Sequence, residues 1–413
     1  MSELTETHSL QNHISHRFDP LFPLPYRIAF EIILGIWGWG LNVQVLDAIH
    51  VDLSYLLRYQ TGRSLHKAVY QFALGLSLIY TVSIIFYWQL LRKADGGIVT
   101  AGVGDDSEEH PILSGLDILP WTTFAVIIGI FLYPGHKFHH SGRKRVISVL
   151  KRVCTGSINP EHRLPDILLS DALTSYSKIF VDSGIMTCML ISKQSSLGLP
   201  DRSCGGQWLV PVISSIPFLI RLRQCTIEYL ATGNKQHLFN FAKYLSAMPV
   251  ILLSALQRNF KNVEVSASAI DHDMAAFQIF TPRMLTKLWV AAVLINSTYS
   301  FYWDITYDWD LELLGGFSWW QRKHQGLRAI MYFPAKHWYY FAICVDCVLR
   351  FTWSLKLSSH WYYVADRESG LFVLGVLEII RRWVWVFFRV ESEWVKSLRD
   401  PYKGHELGQV TPM

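Results

Sequence analysis

Nine long apolar runs, separated by polar or basic segments, set the pattern of this chain. They extend from Ile28 to Leu46, Ala68 to Leu91, Ile118 to Tyr133, Ile167 to Ile191, Trp208 to Leu222, Leu238 to Leu256, Leu285 to Trp303, Trp338 to Leu357 and Leu371 to Phe388. A helix needs about 20 apolar residues to cross the hydrocarbon of a bilayer. Only helices and closed barrels satisfy their backbone groups there, and these runs lack the period-two alternation of a barrel strand. The expected fold is all-α, a polytopic membrane bundle of about nine transmembrane helices.

Charges interrupt the fourth, sixth and ninth runs. A cation at membrane depth costs about 3 kcal/mol on insertion scales, so such residues are expected to line a polar pathway. Their spacing is helical. Asp171, Thr174, Ser175, Lys178 and Asp182 recur at intervals of three and four, which predicts one polar face on the fourth helix. Lys243 and Tyr244 follow Asn240 in the sixth run, Asp304 and Asp308 lie one turn apart at the end of the seventh, and Asp346, Arg350 and Trp353 share a face of the eighth. In the ninth, the stretch EIIRRWVWVFFRVESEW places Arg381 and Arg382 three and four residues after Glu378, with Trp385 on the same face.

Composition agrees with a bilayer as the solvent. Of 413 residues, 51% are hydrophobic and only 17% are charged, too apolar for a soluble protein of this length. Orientation follows from the loop between the third and fourth runs. Lys137, Arg143, Lys144, Arg145, Lys151, Arg152 and Arg163 face the single acid Glu161 there, and the positive-inside rule assigns that side to the cytosol. The preceding loop, with Asp105, Asp106, Glu108 and Glu109, then faces the lumen or exterior, and Lys396, Arg399 and Lys403 near the C-terminus face the cytosol. Residues 1–25 lack an apolar signal-peptide core and read as a polar lumenal tail. The remainder divides into the first three transmembrane helices over 26–140, a core of the later spans over 141–395 and a cytosolic tail over 396–413.

The six cysteines lie mostly in or beside the runs, and the Cys344-x-x-Cys347 spacing has no second pair or histidine cluster to complete a metal site. Neither metal nor cofactor is expected. The sequon at Asn296, Ser297 and Thr298 falls inside the seventh run, so no glycan is expected there.

The excess of intramembrane cations gives the pattern its chemistry. Lys178, Lys243, Arg350, Arg381 and Arg382 are expected to converge with acids and a tyrosine, an inventory suited to holding an anion. Guanidinium groups match phosphate through paired hydrogen bonds, and lysine adds a compact charge. Neighbouring acids keep the empty site from being too positive, and conduction needs binding weak enough to release the ion. Interhelical salt bridges that merely lock the bundle are the competing reading, since buried pairs by themselves are weak evidence of function.

The order of NFAKYLSA, SFYWDITYDWDL, YYFAICVDCVLRFTWSL and EIIRRWVWVFFRVESEW closely resembles the EXS family of eukaryotic phosphate exporters. That family includes the retrovirus-receptor exporters of animals and the shorter fungal ER-retention-defective proteins. Similarity extends back through RLRQCTIEYL, DALTSYS and LGIWGWGLNVQVL. The resemblance implies that phosphate passes between the last six spans. Asp171, Thr174, Lys243, Tyr244, Asp308, Arg350, Arg381 and Arg382 match the family's substrate pathway, Trp353 its gating aromatic, and Asp304, Asp346 and Glu378 stand as supporting acids. Ile227 and Glu228 replace a basic pair common in relatives, which puts the basic character of the cytosolic mouth in question.

Cell-surface exporters carry a long SPX domain where about 25 residues precede the first span here, so the resemblance is to the short fungal branch. It implies a multi-pass protein of the Golgi or endoplasmic reticulum membrane, moving lumenal phosphate to the cytosol in support of glycosylation and retention of lumenal proteins. The expected partners are inorganic phosphate, the lipid bilayer, sorting proteins for glycosyltransferases and a second copy of the chain, with no nucleic acid. Two other classes stay open. One is a retention scaffold whose intramembrane charges are structural; the other is an enzyme using His136, His139 and His140, which lack the paired carboxylates such chemistry needs. No enzymatic activity is expected.

Overall fold

A computed structural model describes residues 18–59, 64–100, 115–155, 162–267, 281–313, 326–357 and 367–399. These residues form helices and connecting turns, with no strand among them. The chain runs through α1 (Leu24–Ala48), α2 (Leu65–Thr100), α3 (Ile118–Leu132), α4 (His140–Thr155), α5 (Arg163–Ser175), α6 (Ser177–Ile191), α7 (Leu209–Thr232), α8 (Lys235–Leu245), α9 (Ala247–Ala267), α10 (Pro282–Trp303), α11 (His337–Arg350) and α12 (Glu368–Arg399). By length and composition α1, the Leu65–Ala94 part of α2 and the Lys235–Asn259 stretch of α8 and α9 are each able to cross a membrane. The acidic loop from Asp105 to Glu109, most of the tail over 1–25, Glu161 and Lys403 lie outside the described residues.

Local chemistry sets the helix ends. Thr281 accepts the amide of Met284 and Asn234 that of Gln236, capping α10 and α8. α7 stops at Gly233, whose φ of 67° is the left-handed conformation that glycine adopts at least cost. At the α3–α4 corner the buried Arg143 guanidinium donates to the carbonyls of Ile130 (2.9 Å), Gly135 (3.1 Å), Lys137 (2.6 Å) and Phe138 (2.6 Å), and to Tyr133. One side chain thus satisfies carbonyls that the end of α3 leaves open.

α1 is the central helix, packed against α2, α3, α6 and α12. Close approach to α12 depends on Gly38, where a Cβ would meet the Trp383 indole. A second core of Trp309, Tyr339, Trp385 and Phe388 joins α11, α12 and the chain after α10. Glu391 on α12 anchors the loop before α11, accepting from Arg328 (2.5 Å), from the Tyr332 amide (2.7 Å) and from the Tyr339 hydroxyl. Lipid tails are as apolar as leucine, so contacts of this kind rather than water exclusion hold such helices together.

The single polar face expected on the fourth run is not formed. The helix breaks at Tyr176, between α5 and α6, so Asp171, Thr174 and Ser175 turn towards α7, α8 and α12 while Lys178 and Asp182 turn towards α1. The sixth run breaks likewise at Ser246, whose hydroxyl donates to Asn296 Oδ1 (2.9 Å). Asn296 is thereby engaged inside the bundle. The seventh run ends in a π-helical turn, Asp304–Asp308, the eighth passes into a 3-10 turn, Thr352–Leu357, and the ninth continues to Arg399. Freed backbone groups at such breaks are tolerated where protein surrounds them.

The disulfide Cys188–Cys204, absent from the sequence expectations, ties the end of α6 to the segment before α7. It marks one end of the bundle; the basic helix α4 marks the other. His136 and His140 lie with ring centroids 4.8 Å apart in the α3–α4 corner, and no group of potential metal ligands forms among the described residues.

Candidate functional site

The charged residues of α12 supply the axis of the site. Glu378, Arg381, Trp385, Arg389 and Glu393 follow one another at intervals of three and four, so they share a face over about 22 Å of helix. That is most of a ~30 Å hydrocarbon layer. Arg381 binds Glu378 and lies 3.2 Å from Asp346 and 3.7 Å from Asp304. Arg350, one turn after Asp346, reaches it at 3.0 Å and also binds Asp304. Asp346 and Arg350 are therefore the same-helix pair that their spacing implies.

The π-helical turn places the next pair. Its wider helical turn carries both Asp304 and Asp308 to Lys243, whose Nζ is 2.8 Å from one and 3.3 Å from the other. Trp385 donates its indole N–H to Asp308 (3.3 Å), and Trp309 donates to the Trp385 carbonyl (3.2 Å), so α12 is pinned to this turn. Arg389 approaches Asp308 at 3.9 Å and pairs with Glu393 at 2.9 Å. Asp171 is buried against Arg221 at 2.8 Å and accepts from the Tyr244 hydroxyl at 2.5 Å, with the Arg221 guanidinium over the tyrosine ring.

Arg382 differs from all of these. It is buried, and among the described residues no carboxylate lies within ion-pairing distance of it. Its Nε donates to Ser175 Oγ (3.0 Å), its Nη2 reaches Thr174 Oγ1 (3.4 Å), and its guanidinium stacks over Trp385 at 4.5 Å. Two hydroxyls and an aromatic face orient the charge, and Asp171, Asp304 and Glu378 act on it only from beyond pairing distance, which leaves its donors available to an anion.

The structure thus brings together Asp171, Thr174, Lys243, Tyr244, Asp304, Asp308, Asp346, Arg350, Glu378, Arg381 and Arg382. Lys178 does not join them, because the break at Tyr176 turns it to Asp182 and Glu31 instead. Trp353 sits on the 3-10 turn with Trp289 and Phe351 as its ring partners. Glu228, which made the cytosolic mouth look acidic, is held by Arg163 at 2.8 Å and His237 at 2.9 Å. Ser175 joins the site beside Thr174, on the polar face its spacing assigned to it, while the sequence reading overlooked Arg221, Arg389 and Glu393 as members. The last two continue the four-residue period that begins at Glu378 and were legible in it; Arg221 comes from a helix whose facing is set only by packing.

The family model described as "EXS family" matches residues 22–395. The chain belongs to the EXS family. Among EXS relatives, the "Protein ERD1 homolog 1" of Schizosaccharomyces pombe is 29% identical over 401 residues, covering 93% of this chain and 94% of that protein. "Phosphate transporter PHO1 homolog 8" of Arabidopsis thaliana is 25% identical over 94% of this chain and 47% of its own length. "Solute carrier family 53 member 1" of Mus pahari is 28% identical over 67% of this chain and 39% of its own length. With the apolar helices, this makes the chain an EXS-family membrane protein with an all-α fold.

Proposed function

We propose that the protein moves inorganic phosphate across a Golgi or endoplasmic reticulum membrane, from lumen to cytosol, and so supports glycosylation and the retention of lumenal proteins. The observation that carries the reading is Arg382, a buried guanidinium bound by hydroxyls and an indole inside a column of otherwise paired charges. A phosphate beside it gains a fork of N–H donors from Arg382 and the hydroxyl donor of Ser175, while Thr174, whose hydroxyl donates to the Asp171 carbonyl, only steadies the guanidinium. Arg381, Arg350 and Lys243 supply further charge along the column, each held by an acid that prevents the ion from binding too tightly to leave. The name of the plant relative, a phosphate transporter, supports the same cargo, and that of the rodent relative, a solute carrier, supports transport.

In this reading α4 lies at the cytosolic surface and the disulfide at the lumenal one. Disulfides persist in the oxidising lumen, so the disulfide and the basic helix argue for one orientation from independent chemistry. Glycosylation from nucleotide sugars leaves phosphate in the lumen, which gives the direction its purpose.

Radiolabelled phosphate efflux from vesicles containing the purified protein tests the proposal. Arg382→Gln is expected to abolish efflux at matched protein level, while Arg382→Lys keeps the charge, loses the planar fork and lowers efflux partially. Parental efflux in the Arg382→Gln protein would make the arginine structural. A retention scaffold acting through glycosyltransferase-sorting partners predicts the opposite pattern, with retention intact in both variants.

A further inference from the structure

A second set of buried charges lies at the disulfide end, outside the α12 column. Ion pairs join Asp19 to Arg27, Arg27 to Glu368 (3.1 Å), Glu368 to Arg202 (2.5 Å), Arg202 to Asp182 (3.2 Å), Asp182 to Lys178, and Lys178 to Glu31 (3.9 Å). Among the described residues this string of ion pairs holds four carboxyl groups, on Asp19, Glu31, Asp182 and Glu368, against three cations on Arg27, Lys178 and Arg202. With those seven ionised the acids outnumber the cations by one, so one bound proton balances them.

The four carboxyls are not equivalent hosts for that proton. Asp19, Asp182 and Glu368 each accept hydrogen bonds from a cation. Glu31 is fully buried, and neither of its oxygens has a hydrogen-bond partner among the described residues. An ionised carboxylate without donors is the costliest form of a buried acid, and protonation removes that cost. Its surroundings supply little else. Arg27 lies one turn earlier on α1, Tyr176 stands at the α5–α6 break, and Lys178 and Asp182 come from α6. α12 meets it through Gly375, where a Cβ would collide with the Glu31 carboxyl, and α2 and α3 cover α1 with Phe72, Tyr80 and Phe124.

We infer that Glu31 is a proton-binding site whose loading is linked to occupancy of the anion site at Arg382. Two structural connections link them. Tyr176, next to Ser175 of the Arg382 cradle, is also two residues before Lys178; and Gly375, against Glu31, precedes Arg382 on α12 by about two turns. When Glu31 releases its proton, the carboxylate draws Lys178 Nζ across from Asp182. Asp182 keeps Arg202 as its partner, so the exchange strands no charge. Lys178 and Arg202 are each about a quarter exposed (24%), which gives the proton a route to the lumenal side that the sealed Glu31 lacks.

The linkage to the anion site rests on the proposed phosphate function; the proton site itself does not, and two measurements separate them. Infrared difference spectroscopy of the purified full-length protein at neutral pH is expected to show a protonated carboxylic-acid band that Glu31→Gln removes. Absence of the band in the parent, or its persistence in Glu31→Gln, overturns the site. In vesicles, the ratio of parental to Glu31→Gln phosphate efflux is expected to change by up to about tenfold per lumenal pH unit, because one proton separates the two forms. Glutamine mimics the protonated acid in size and neutrality, and phosphate's own titration cancels in the ratio. A ratio independent of pH overturns the linkage. If neither protein moves phosphate, the transport reading and the linkage fail together, while the infrared result still decides the site.

Discussion

Adjacent arginines of identical chemistry take opposite roles here because a helix sends neighbours to different faces. Arg381 is surrounded by Glu378, Asp346 and Asp304, whereas the polar and ring partners of Arg382 among the described residues are Thr174, Ser175 and Trp385. Arg381→Gln therefore takes the cation from Glu378 and one of several from Asp346 and Asp304, which keep Arg350 and Lys243, and is expected to lower the thermal midpoint and the recovery in detergent. Arg382→Gln breaks no ion pair, its charge acting on Asp171, Asp304 and Glu378 only at longer range, so its midpoint should fall less than that of Arg381→Gln while phosphate efflux is lost. Equal destabilisation by both changes would contradict the division. In the sequence the two read as one tandem pair with no means of telling them apart, since the difference lies in what α5, α11 and the π-helical turn present to each.

Helix breaks explain most of what the periodicity misassigned. A run of apolar residues with polar residues at helical spacing reads as one continuous helix, and the fourth run contains no proline or glycine at Tyr176 to signal otherwise, whereas Pro249, three residues past Ser246, removes the backbone donor that would bond Leu245 and was a legible break in the sixth. The breaks are stabilised from outside, by Asn296 at Ser246 and by the close packing of the Tyr176 hydroxyl against Gly35 of α1. Glycine is needed as much at the α1–α12 crossing. Gly38→Ala would drive a methyl into the Trp383 indole and is expected to cost about 1–3 kcal/mol through overpacking, measured as a lower thermal midpoint. An unchanged midpoint would show that the two helices separate without penalty.

Across the whole molecule, the disulfide and the basic helix lie at opposite ends, and this leads to an orientation that thiol chemistry can check. In sealed microsomes, Cys188 and Cys204 should resist a maleimide until reduced and permeabilised, whereas the exposed Cys154 at the end of α4 should react from the cytosolic side. Labelling of Cys154 only after permeabilisation would invert the bundle. Composition and the apolar runs by themselves determined the all-α membrane class, because a bilayer forces backbone bonding inward. Long ordered motifs likewise determined the family and eleven of the charged or hydroxylic residues that meet in the core. Only the tertiary structure decided that Lys178 leaves that core, that Arg221 enters it and that, among the described residues, Arg382 has no acid at pairing distance and Glu31 no donor. Spacing fixes which residues share a helix face; which face meets which partner depends on breaks, crossings and packing between segments far apart in the chain.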